Sequence, residues 1–98
     1  MSEIYTYEYI RKLLDNINAN NKLKWNDFLL IFKYVDLKFN NIKLLRKKRL
    51  LVLLDVSLIK DVISKLERII NANLVESDMA KKQIKDIVEK WNNELKKF

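Results

Sequence analysis

Residues 50–71 read LLVLLDVSLIKDVISKLERIIN. Within them Val52, Val56, Ile59, Ile63, Leu66 and Ile70 recur at spacings of four, three, four, three and four. That rhythm keeps side chains on one face of an α-helix, whereas a half-buried strand needs alternation at every second residue. The stretch therefore predicts an amphipathic helix. Asn71-Ala72-Asn73 closes it, because Asn competes for backbone hydrogen bonds and tolerates left-handed geometry. Leu50 to Leu54 are apolar all round, which predicts an end buried on every side. Taken alone, those five residues would also suit a buried strand.

The same rhythm extends on both sides. Upstream, Phe28, Phe32, Val35, Phe39, Ile42 and Leu45 form a second line, starting near Leu23 or Trp25, with Asp27, Lys33, Asp36, Lys38 and Lys43 lying off it. Before it, Tyr7, Ile10, Leu14 and Ile17 mark a helix over about Ser2 to Ile17, with Ser2 as its cap and Asn18-Ala19-Asn20-Asn21 as its stop. Downstream, Ala80, Ile84, Ile87, Val88, Trp91, Leu95 and Phe98 form the apolar face of a last helix. Glu76 or Ser77 would start it, Asp78 suits its first turn, and Lys96 and Lys97 suit the negative end of its dipole.

These segments define an all-α fold, a compact bundle of four to five helices in a single domain over residues 1–98. Two halves of the chain also resemble one another. Ile10, Leu13 and Ile17-Asn18-Ala19-Asn20 match Ile63, Leu66 and Ile70-Asn71-Ala72-Asn73 at an offset of 53. Phe28, Phe32, Val35 and Lys38-Phe39-Asn40-Asn41 match Ala80, Ile84, Ile87 and Lys90-Trp91-Asn92-Asn93 at an offset of 52. The chain thus reads as two tandem helical hairpins, with Arg46 to Arg49 connecting them. Two other arrangements fit the same letters: one long helix from about Trp25 to Ile70, and a helix-turn-helix made by a break near Asp36 to Asn40.

Composition removes most chemistries. The 98 residues contain no Cys, His, Gly or Pro. Without Cys there is no disulfide, thiolate nucleophile or zinc-thiolate site. Without His the commonest general base and transition-metal ligand are gone. Without Gly there is no phosphate-cradling loop, dinucleotide fingerprint or nucleophile elbow. A carboxylate-metal enzyme would need several of Asp55, Asp61, Asp86 and Glu89 to converge, and nothing in their spacing requires it. The reading is of a non-enzyme with no catalytic residues, metal, cofactor or small-molecule substrate. Apolar runs such as Leu50 to Leu54 are too short to span a membrane. The first residues, with an acid and three tyrosines, are unlike a signal peptide, which makes an intracellular, cytoplasmic protein the expectation.

Charge gives the lean toward a partner. The chain carries a formal net charge of +7. Residues 22–49, with nine Lys/Arg and two Asp, hold that whole excess, while residues 81–98 hold a further +3 offset by the rest. A concentrated basic patch attracts phosphate backbones by counterion release, without regard to sequence. Arg46-Lys47-Lys48-Arg49 is its centre, with Asn40, Asn41 and Lys43 just before it. Asn and Lys can reach base edges or phosphates. Ile31, Val35, Leu37 and Ile42 follow the apolar spacing of a helix-turn-helix, although Phe32 stands where a small residue is usual and Asp36 where a Gly turns the chain. In that arrangement Asn41, Lys43, Arg46 and Lys47 would face the major groove.

The expected function is therefore nucleic-acid binding, duplex DNA foremost, through residues 40–49 and as a homodimer. The competing reading is a protein-interaction module of the immunity or adaptor type. There the basic run is a solvated face, and an apolar groove near Trp25 and Trp91 receives the partner. A third possibility is Tyr5 or Tyr9 stacking on single-stranded bases beside Arg11 and Lys12.

Overall fold

A computed structural model describes residues 6–44 and 49–97, with the side chains of 49–52 left out. Four helices follow one another: α1 (Tyr7–Asp15), α2 (Trp25–Leu44), α3 (Arg49–Asn71) and α4 (Asp78–Leu95). Consecutive helices pack side by side, and α1 also lies against α3.

Each boundary has a local cause. Thr6, not Ser2, caps α1: its Oγ1 accepts from the Tyr9 N–H at 3.2 Å, and Glu8 sits in the positive first turn. After Asp15 the chain turns through Asn18 and Asn21, whose backbones exchange hydrogen bonds of 3.0 and 3.1 Å. At the end of α3, Leu74 N–H donates to the Ile69 carbonyl and Asn73 N–H to that of Ile70, both at 3.0 Å. This is the Schellman pattern, which places one residue in left-handed geometry. Asn73 takes it, with φ of 58°, the role that Gly would fill in a chain that had any. Ser77 then caps α4, accepting from the Ala80 N–H at 3.1 Å.

The two Asn-rich connections meet. Leu23 N–H donates to the Leu74 carbonyl at 2.8 Å, and Glu76 N–H donates to the Leu23 carbonyl at 2.9 Å. Leu23 and Val75, 52 positions apart, pair as a parallel bridge and are both buried. The molecule is thus two helix–turn–helix hairpins in tandem, locked at their turns.

One apolar cluster draws on all four helices: Ile10 and Leu14 from α1, Phe28, Ile31, Val35, Phe39 and Ile42 from α2, Ile59 to Ile70 positions from α3, and Ile84, Val88, Trp91 and Leu95 from α4. Three expectations are corrected by this packing. The helix-turn-helix break near Asp36 to Asn40 is absent, since α2 runs unbroken from Trp25 to Leu44. Its buried stripe, Ile31, Tyr34, Val35, Phe39 and Ile42, crosses the proposed turn without interruption. A single helix from Trp25 to Ile70 is also excluded, because α2 and α3 are separate helices packed on each other. Finally, Leu50 to Leu54 are helical, not a strand, and that end is not buried on every side: Leu53 is 63% and Leu54 56% exposed. Tyr7, at the start of α1, donates a hydrogen bond to Asp61. The start of α1 therefore lies beside residue 61 of α3.

Polar groups tie the helices near this junction. Lys65 Nζ lies 2.8 Å from Asp15 Oδ1, joining α3 to α1. The hydrogen bond from Lys65 holds the Asp15 carboxyl below its ordinary value, so this small contribution is present above that value and fades as pH falls through the lowered one. Lys38 Nζ lies 3.5 Å from Asp55 Oδ1 and 5.5 Å from the centre of the Tyr34 ring. Tyr34 itself is buried, and its hydroxyl has no hydrogen-bond partner among the described residues.

A buried, unpartnered hydroxyl costs about 1–3 kcal/mol. Tyr34→Phe keeps the ring under Lys38 and removes that cost. It should raise the stability measured by urea unfolding by about 1 kcal/mol; a clear loss would show that the hydroxyl is satisfied. A pH effect follows from the same corner. Tyr7 is held above its ordinary pKa of 10.0 by its hydrogen bond to Asp61, and Tyr34 is held above it by burial and then by the Asp55 charge. Both folded-state values are raised, so their contribution is complete below the unfolded value and lost as pH rises beyond it. Thermal melts should therefore show a midpoint that drops above the ordinary tyrosine range, and less steeply in Tyr34→Phe.

Candidate nucleic-acid interface

The last turns of α2 bury Phe39 and Ile42, and this fixes where their neighbours point. Asn40, Asn41 and Lys43 are all exposed. Asn40 and Lys43 are three residues apart and share a flank of the helix. Asn41 stands about 200° round the helix from Lys43, so the two do not form the single reading face that a recognition helix would need. Arg46, Lys47 and Lys48 lie outside the described residues, and Arg49 opens α3 with its side chain not described.

The fold adds basic residues that a linear reading does not join to this cluster. Glu94, near the end of α4, is held below its ordinary pKa first by a hydrogen bond and charge from Lys97, at 3.1 Å, and then by the charges of Lys43 and Lys90. The charge of Lys43 on α2 thus reaches the last turns of α4. Lys96 and Lys60 line a shallow groove beside Asn92 and Leu95 on the neighbouring α3–α4 face. Lys90, Lys96 and Lys60 are exposed and make no ion pair among the described residues. The return of α4 along α3 thus exposes further lysines, distant in sequence, that add to the positive charge of the molecule. The signal was the +3 over residues 81–98; its location was not readable without the topology.

Other candidate chemistry is dispersed. Asp55 pairs with Lys38, Asp61 accepts from Tyr7, and Asp86 and Glu89 are exposed on α4. Among the described residues no cluster of three or more acidic side chains is placed to hold a metal ion. Arg11, offered as a partner for stacked bases, is paired with Glu8 at 3.2 Å, although Tyr9 is exposed beside Lys12; Tyr5 lies outside the described residues. Beside Trp25 an open hollow is lined by Ser77, Met79, Ala80 and Gln83, while the space between Trp25 and Trp91 is occupied. Phe28 sits between them, with ring centres 5.5 Å from Trp25 and 6.0 Å from Trp91, and Phe32 meets Trp91 edge-on at 6.0 Å. No helix among the described residues is long and apolar enough to cross a membrane. No protein-family model, curated protein or solved structure matches the chain.

Proposed function

We propose that this is a non-enzymatic nucleic-acid-binding protein that engages duplex DNA with the basic end of its bundle, as a pair of identical chains. The supporting observation is the exposed Lys43 in the last turn of α2, followed in sequence by Arg46-Lys47-Lys48-Arg49, with exposed Lys90, Lys96 and Lys97 on and just beyond α4 adding to the positive surface. Lysine and arginine there replace counterions along the phosphate backbone, which supplies affinity without sequence preference. The exposed Asn41 amide is a donor and acceptor for a base edge or phosphate oxygen. α3 starts at Arg49, so its amino-terminal dipole has the same sign as the cluster.

The test is fluorescence anisotropy with labelled duplex and single-stranded DNA. Wild type is compared with a variant carrying Arg46→Gln, Lys47→Gln, Lys48→Gln and Arg49→Gln. Tight duplex binding that the variant loses is the expected result. Binding that is absent, or equal in both proteins, would overturn the assignment and favour a protein-interaction module. Stronger binding to single strands would replace duplex DNA as the ligand.

A further inference from the structure

We infer that the outward face of α2 is a two-fold interface with a second copy of this chain. α2 buries one stripe in the core, and on its solvent side leucines are exposed among Lys33, Asp36 and Asn40. Leu29, Leu37 and Leu44 are 39%, 48% and 82% exposed. Their spacings of eight and seven residues keep them on one side of the helix. Leu29, Leu30 and Phe32 line a largely apolar hollow bordered by Lys33 and Asp36. Leucines exposed beside an apolar hollow mark an association surface.

The two charges name the occupant. Lys33 and Asp36 are exposed on this face, and neither makes an ion pair among the described residues. An isologous interface must complement itself: where residue i meets j, j meets i. Two copies of α2 laid antiparallel about an axis passing between residues 34 and 35 satisfy that condition. Lys33 of each copy then meets Asp36 of the other. Leu37 falls at the level of Phe32 across the axis and enters the hollow, and Leu44 falls at the level of Trp25. The patch thus supplies both halves of its own charge pattern.

The same geometry bears on the ligand, and this part rests on the nucleic-acid reading above. Antiparallel pairing carries the two Leu44 ends away from each other, which limits repulsion between two chains of charge +7. At 1.5 Å per residue those ends stand roughly 30 Å apart. Duplex half-sites one helical turn apart are separated by roughly 34 Å, so both basic ends can reach one face of the same duplex.

The experiment is sedimentation equilibrium of the full chain without nucleic acid, over a range of protein concentrations. Wild type should show twice the 11.8 kDa chain mass. Lys33→Asp sets like charges against each other and should weaken the dimer by more than about tenfold. Adding Asp36→Lys to it restores the complement and should restore the dimer. Leu37→Lys should give a monomer with unchanged helical circular dichroism. A wild-type monomer at every concentration would overturn the interface, as would a dimer indifferent to both charge variants. Because no DNA is present, failure of the basic end to bind DNA would leave these masses as expected, and failure of the interface would leave single-chain DNA binding intact.

Discussion

Phe28→Ala should lower the stability of the protein by about 3–5 kcal/mol, the cost of truncating a fully enclosed phenylalanine. Phe28 has no solvent exposure. Its ring stands 5.5 Å from Trp25, 6.5 Å from Phe32 and 6.0 Å from Trp91. It is the piece of α2 that keeps α4 in place, so its loss removes transfer energy, leaves a void, and frees aromatic neighbours that contribute about 0.5–1.5 kcal/mol per pair beyond burial. A domain of this size holds only about 5–15 kcal/mol in total. Each kcal/mol moves the midpoint by about 4–8 °C, so the thermal transition should fall by tens of degrees. Phe28→Leu, which fills most of the volume, should cost far less. A melt of Phe28→Ala within a few degrees of wild type would mean that the aromatic cluster is not the keystone described here.

The second large effect concerns binding. Removing four cations from a phosphate-binding surface should weaken duplex affinity by about 10²–10³-fold at moderate salt, since each lost phosphate contact forfeits the release of about one counterion. The loss should be nearly the same for unrelated duplex sequences, because backbone contacts carry no sequence information. Gln forms helix about as readily as Lys or Arg, so the variant should melt close to wild type. Unfolding of the variant would instead give the run a structural role.

Much of the fold was legible in the chain. The three-four rhythm of Val56, Ile59, Ile63, Leu66 and Ile70 needs no partner to be read, and the structure buries all of these except the half-covered Val56. Asn73 was readable as a stop because Asn tolerates left-handed backbone, and Ser77 as a start because its hydroxyl accepts from the backbone three residues on. Features that depend on which helix lies beside which were not. The exposure of Leu53 and Leu54 on α3 and the entry of Phe28 from α2 between Trp25 and Trp91 are of this kind. The basic surface was half legible. Arg46 to Arg49 stand out in any window of sequence, but the charges of Lys90 and Lys97 meet that of Lys43 at Glu94 only through the return of α4 along α3. The outward leucines of α2 were hidden for a different reason. Leu37 was read as an apolar position of the helix-turn-helix spacing, and only the burial of Ile31, Val35 and Phe39 shows that it and Leu29 face away from the core.

The most direct test of a nucleic-acid function is the slope of log affinity against log salt for a labelled duplex. It should be measured for wild type and for the variant with Arg46, Lys47, Lys48 and Arg49 all changed to Gln. Each phosphate neutralised adds about 0.9 to the slope. The account predicts a steep line for wild type and a line shallower by roughly three to four units for the variant. A flat wild-type line, or two lines of equal slope, would contradict it.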